Sequence, residues 1–233
     1  MAEDGGSGII VKACLNGGRG RDDNPNIPWT PQEVADEAVR CHEAGAAVVH
    51  FHARGEDGAA SFEADWYTET DRLIRERCDL VLNHTTIRPP GIGVGRVLDY
   101  LRGTPEPVDM VSLVMGDLRG WRRLPDGSRA STLIENSYED IRDTLEVCYE
   151  RGIVPEPTLW DGGMLNNAIT LIEDGLLRSA GYFLIEPNGD WGGGAQRLPG
   201  SPRDYLRLAD QVREHFPDAI WIAHGGGRHT FPL

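Results

Sequence analysis

Lysine is almost missing from this chain. Lys12 is the only one, so arginine supplies the other 22 of the 23 basic residues, set against 37 acidic residues and a formal net charge of -14. A nucleic-acid-binding surface needs a basic face, and no Lys/Arg cluster stands out along the sequence, which argues against nucleic acid as a partner. No apolar run approaches the roughly 20 residues that span a bilayer. The opening "MAEDGGSG" lacks the basic and apolar regions of a signal peptide, so the cytoplasm is the expected location. The four cysteines, Cys14, Cys41, Cys78 and Cys148, lie far apart with no C-x-x-C pair. That spacing predicts free, buried thiols, not disulfides or a structural zinc site. The first apolar run is not followed by G-x-G-x-x-G, and neither G-x-S-x-G nor a Walker A pattern occurs, which removes the usual signals of a dinucleotide fold, a serine hydrolase and a P-loop enzyme.

What the chain does have is rhythm. Residues 1–8 read as a disordered leader, and residues 9–233 as a single domain in which apolar runs alternate with helical patterns. "GIIVKACLNG", "AAVVHFHAR", "DLVLNHTT", "VDMVSLVMGD", "IVPEPTLWD", "GYFLIEPNGD" and "AIWIAHGGGR" read as seven strands, the fifth bending where its prolines fall. Six helices separate them. Thr30, Pro31 and Glu33 form a capping-box start with Gly45 as a stop, and Ser137 and Ser201 are further N-caps. Strands apolar on both faces predict a parallel sheet covered on both sides. Polar residues recur just after each strand, and a barrel gathers such strand ends around one mouth. The fold class expected is therefore a (β/α)8 TIM-type barrel whose eighth strand is not in this sequence. A polar stretch at about 117–136 breaks the rhythm and reads as irregular, a lid or a cover for a neighbouring subunit.

The chemistry should sit at the strand ends. "VVHFHAR" puts His50 and His52 on one face of a strand, with their rings stacked, and two imidazoles there are either a metal site or histidines bonded at the edge of the core. His84, His224, Glu156 and Glu186 are at other strand ends, each a further candidate ligand or else a polar residue hydrogen-bonded within the fold. Asn16, with the glycines after it, and Arg19 are candidates for holding an anionic ligand. Thr85, Thr86 and Ser112 offer hydroxyls to a substrate carboxylate or carbonyl, or are satisfied within the fold.

Taken in order, "ACLNG", "PNIPWTPQEVADEAVRCHEAGAAVVHFHAR", "DLVLNHTT", "PVDMVSL", "GIVPEP…DGGML" and "HGGGRHTFPL" resemble the β-keto acid cleavage enzymes, which include the 3-keto-5-aminohexanoate cleavage proteins. The resemblance implies an oligomeric, zinc-dependent (β/α)8 barrel, here a homo-oligomer, that condenses a β-keto acid with acetyl-CoA to give acetoacetate and a new CoA thioester. It implies that His50 and His52 are zinc ligands, with Glu156 retained at a catalytic position and Asn16, Arg19, Thr85, Thr86 and Ser112 around the substrate. The family's third ligand is a glutamate in a segment like "GGHVRVGLEDN", together with a catalytic arginine and aspartate. Here those are expected beyond Leu233, and Arg228 is not that arginine. Members acting on an amino substrate carry an acid where Arg19 stands, so Arg19 implies an anionic or neutral substrate tail. The family's P-E-x-E is reduced here to Pro155-Glu156-Pro157-Thr158. A metal-dependent hydrolase of amidohydrolase type, which carries H-x-H on its first strand and not its second, and a catalytically incomplete barrel are the alternative readings.

Overall fold

The computed structural model describes residues 8–18, 20–22, 24–179, 181–187 and 200–225. The chain falls into two compact units that divide between His84 and Thr85.

In the first unit, β1 (Lys12–Cys14), α1 (Pro31–Glu43), β2 (Val48–Phe51), α2 (Ala64–Arg75) and β3 (Val81–Thr85) alternate. β1 pairs with β2, and β2 with β3, all parallel. α1 starts where the sequence predicted. The Thr30 hydroxyl accepts the Glu33 amide while the Glu33 carboxylate reaches back to the Thr30 N–H, so two of the helix's orphan donors are satisfied. Its buried stripe is Val34, Ala35 and Ala38. These small residues let it lie close to the sheet and to α2, whose buried stripe is Tyr67, Thr70, Asp71 and Ile74. Gly45, with φ +100, turns the chain out of α1 into β2 in a conformation that favours glycine.

In the second unit, α3 (Gly95–Gly103), β4 (Met110–Val114), the pair β5 (Leu118–Arg123) and β6 (Arg129–Ile134), α4 (Tyr138–Arg151), β7 (Val154–Leu159), α5 (Gly162–Glu173), β8 (Tyr182–Ile185), α6 (Pro202–His215) and β9 (Ile220–Ala223) follow. β4, β7, β8 and β9 are neighbours in that order and all parallel. The core lies on the side where Leu113, Leu159, Phe183 and Ile185 meet Leu171 of α5 and Leu208 of α6. Pro155 and Pro157 have no N–H to give, and pairing of β7 with β8 begins only beyond them, at Thr158. Within each unit parallel strands alternate with helices, the α/β pattern of a TIM-like fold.

Two expectations change. The stretch at 117–136 is not irregular: Leu118–Arg123 and Arg129–Ile134 form an antiparallel hairpin with Trp121 opposite Ser131. Its polar alternation is that of a two-stranded ribbon with one wet face. The four cysteines are free, but only Cys148 is buried; Cys14 is exposed, and Cys41 and Cys78 are half-buried.

Candidate functional site

On β2 the alternation of side chains sends Val49 and Phe51 into the core, fully buried, and leaves His50 half-exposed on the other face with His52 just past the strand end. The parallel register sets His50 beside Asn83 and Phe51 beside His84. Asn83 Oδ1 lies 2.8 Å from His50 Nδ1. An amide oxygen only accepts, so the neutral tautomer that satisfies this contact has Nδ1 donating and Nε2 as the acceptor nitrogen. That nitrogen is 3.1 Å from Nε2 of His52. The rings are not stacked as the sequence suggested. They meet edge to face, with centroids 5.1 Å apart and planes at 90°. The edge-on arrangement is what turns both Nε2 atoms inward. Two nitrogens bound to one tetrahedral zinc at about 2.0–2.1 Å would lie about 3.3 Å apart, so the pair fits a divalent cation as two of its ligands. Asn83 plays the orienting part that a ligating imidazole ordinarily requires of its second nitrogen. Among the described residues, no group of three or more His, Cys, Asp or Glu side chains is gathered as a metal site.

Asn16, buried at the end of β1, holds the His52 end of the pair. Its Oδ1 accepts the His52 amide at 2.9 Å, and its Nδ2 donates to the His52 carbonyl at 2.9 Å and to the Pro28 carbonyl at 3.1 Å. Both amide hydrogens are therefore committed to backbone carbonyls. Arg54, two residues further along, donates to the carbonyls of Gly17 and Gly58, and burial pulls its pKa down. Arg19 lies outside the described residues.

His84 is not available to a cation at the pair. It shares the face of Phe51, behind the sheet, with Nε2 2.9 Å from Asp71 Oδ1 and its ring 4.3 Å from that of Tyr67 and 4.9 Å from that of Phe51. The period-two rule decides this: Asn83 faces with His50, so its neighbour His84 cannot.

The second unit makes a separate cluster. Ser112 of β4 is in register with Glu156 of β7, on the face opposite the core residues Leu113 and Leu159. Glu156 is fully buried. Thr86 donates to the Ser112 carbonyl at 2.6 Å, and the Thr85 hydroxyl accepts the Ile87 amide at 3.1 Å. Glu186 Oε1 lies 3.1 Å from His224 Nδ1, and Tyr205 donates to the His224 carbonyl at 2.8 Å. Arg228 is outside the described residues. Sequence reasoning missed the part played by Asn83. Its strand-end position was visible, but only the register of β2 on β3 shows which histidine it serves.

The family model described as beta-keto acid cleavage enzyme matches residues 8–233. Among curated relatives, the 3-keto-5-aminohexanoate cleavage enzyme of Fusobacterium nucleatum is 27% identical over 228 residues, covering 97% of this chain and 76% of that protein. The 3,5-dioxohexanoate:acetyl-CoA acetone transferase of Paraburkholderia graminis is 27% identical over 228 residues, covering 90% of this chain and 71% of the other. A solved structure described as the binary complex of ObcA with oxaloacetate superposes with a TM-score of 0.63 at 18% identity, over 85% of this chain and 52% of that one. This chain thus spans about half the length of that solved protein, which is similar to it in fold. The match over nearly all its length settles membership: the chain belongs to the β-keto acid cleavage enzyme family.

Proposed function

We propose that this family member is a zinc-dependent transferase that cleaves a β-keto acid against acetyl-CoA, giving acetoacetate and a new acyl-CoA, with its parallel strands part of a (β/α)8 barrel. The observation that carries the reading is the pair of Nε2 atoms, of His50 and His52, converging to 3.1 Å with the far nitrogen of His50 fixed by Asn83. Both relatives described above bear names for reactions of this kind, cleavage of a keto acid and transfer involving acetyl-CoA.

His50 and His52 would hold the metal through Nε2, and a bound divalent cation supplies Lewis-acid stabilisation to a developing enolate. The residues of the chain itself do the rest. Asn83 keeps the proton on His50 Nδ1, so Nε2 stays a ligand. Asn16 fixes the backbone at His52, which sets where the second imidazole points. Ser112 orients the keto acid's carboxylate through its hydroxyl, Thr85 is a further hydroxyl donor, and Thr86 braces Ser112 by donating to its carbonyl. Glu156, fully buried, is the group that takes a proton from the carbon between ketone and carboxylate through its carboxylate oxygen. Arg19 selects an acidic or neutral tail by attraction and repels an ammonium.

The test is acetoacetate formation from acetyl-CoA and a panel of β-keto acids, with zinc content measured on the same preparations. The wild-type protein loaded with zinc is expected to turn over at least one keto acid. His50→Ala and His52→Ala are expected to lose both zinc and activity. Undiminished acetoacetate production by both variants would remove the reading.

A further inference from the structure

The sequence shows no basic cluster, yet the fold assembles one. Between residues 118 and 134 there are four arginines and a single aspartate, a local charge of +3 on a chain whose formal net charge is -14. The hairpin register decides how they are displayed. Arg119 lies opposite Leu133, Trp121 opposite Ser131, and Arg123 opposite Arg129. Directly opposed residues share a face, so Arg119, Trp121, Arg123 and Arg129 stand together on one side of the ribbon. That side is the wet one. The three arginines are exposed, Arg119 lying 3.1 Å from Asp117 Oδ2 at the foot of the ribbon, and Trp121 is 40% exposed, whereas Leu118, on the reverse side, is buried in the core with Ile134 packed against it.

The ribbon is a firm platform. It leaves directly from the C-terminal end of β4, the end of a parallel strand where barrel enzymes build their sites. Its base is pinned by Asn136, which donates to the Val114 carbonyl and whose amide donates to Asp117 Oδ1 at 2.8 Å. The buried Arg88 donates to the Glu135 carbonyl and pairs with Asp140 at 3.0 Å. Arg123 and Arg129 face one another directly across the ladder.

We propose that this face binds the nucleotide end of the CoA thioester, with Trp121 stacking on the adenine and Arg119, Arg123 and Arg129 contacting the diphosphate and the 3′-phosphate. The inference rests on acetyl-CoA being the co-substrate. Size and charge choose the occupant. A long polyanion such as nucleic acid would have to lie along a strongly acidic protein, but a compact ligand with its phosphates grouped beside an aromatic base fits a patch confined to one hairpin. Arginine suits phosphate through its paired donors, and an indole suits any base through its π-face.

The experiment is calorimetric titration of the whole protein with CoA, dephospho-CoA and adenosine 3′,5′-bisphosphate, at two salt concentrations. Arg119→Glu/Arg123→Glu and Trp121→Ala are compared with wild type, with Tm and size-exclusion elution recorded for each. Wild type is expected to bind all three and to prefer CoA over dephospho-CoA. The double variant is expected to bind CoA at least about tenfold more weakly and to lose that preference, with Tm unchanged. Trp121→Ala is expected to weaken all three probes by roughly tenfold. Arg129→Gln, which leaves the base of the ribbon alone, is the substitute if the double variant does not fold. CoA binding by wild type that the variants leave unaltered overturns the hairpin site and leaves the reaction standing. No CoA binding by wild type overturns the acetyl-CoA reading itself. Variants that change elution but not CoA affinity overturn the site and make the face a contact between copies of this chain.

Discussion

Asn16 pairs with both backbone groups of His52, accepting its N–H and donating to its C=O, each at 2.9 Å. The carboxamide thereby does for one residue what a neighbouring strand would do, just where β1 has ended. Asn16→Ala leaves a buried amide and two carbonyls without these partners, and each such loss costs about 1–3 kcal/mol. Asn16→Asp keeps the acceptor but turns a carboxylate oxygen on two carbonyls. Both variants are expected to lose stability in urea unfolding, with Asn16→Asp no better than Asn16→Ala. Wild-type midpoints for both would show that the pairing contributes nothing.

Asn83 touches His50 through the nitrogen that is turned away from His52. Asn83→Ala frees the imidazole to change tautomer and to rotate. On the proposed function, zinc affinity, read by competition with a chelator, is expected to fall roughly 10–100-fold while both histidines remain. Asn83→Asp retains the acceptor and is expected to recover most of that loss.

Glu33 gives an acid-limb prediction. The backbone N–H groups of Thr30 and Trp29, and then the Arg21 guanidinium, hold its carboxyl down from its ordinary 4.5 to about 2. A group whose folded pKa is depressed contributes stability in full above its ordinary value and loses it as the pH falls through the folded one. The contribution should therefore be intact above pH 4.5 and fade between there and about pH 2. The carboxylate is substantially exposed, so solvent screening keeps the effect small. Glu33→Gln is expected to shallow the decline of the urea midpoint across that window. A decline identical to that of wild type would contradict this.

The thiols separate by burial. Desolvation pushes Cys148 up to about 12 and raises Cys41 and Cys78 as well, whereas Cys14 is exposed. The thiolate is the reactive form. With a colorimetric disulfide reagent at mild alkaline pH, Cys14 is expected to supply the fast phase, which Cys14→Ser removes, and Cys148 to react only on unfolding.

Gly58 is held at φ +77, and a Cβ there would meet the ring of Trp29 at 2.4 Å. Gly58→Ala adds strain to a clash in the loop whose carbonyl receives Arg54, and is expected to cost more than about 1 kcal/mol in thermal unfolding. A Tm equal to that of wild type would mean that the loop gives way freely.

The order of strands and helices was legible in the sequence because it is written in local terms. Capping residues such as Thr30 and Ser137, apolar runs of strand length, and the period of two that puts His50 and His52 on one face are properties of neighbouring residues. The family resemblance was legible for the same reason, as contiguous motifs. Pairing across strands is not local. That His84 turns to Asp71 behind the sheet while Asn83 turns to His50 depends on the register of β2 on β3, since a slip of one residue would exchange them. In the same way the arginines of 118–134 looked scattered along the chain, and only the antiparallel pairing of β5 with β6 sets three of them around Trp121. The sequence by itself determined which chemical groups the chain carries and on which elements. The tertiary structure alone decided which of those groups meet, because contact between residues dozens of positions apart is set by backbone pairing and core packing, which no local pattern encodes.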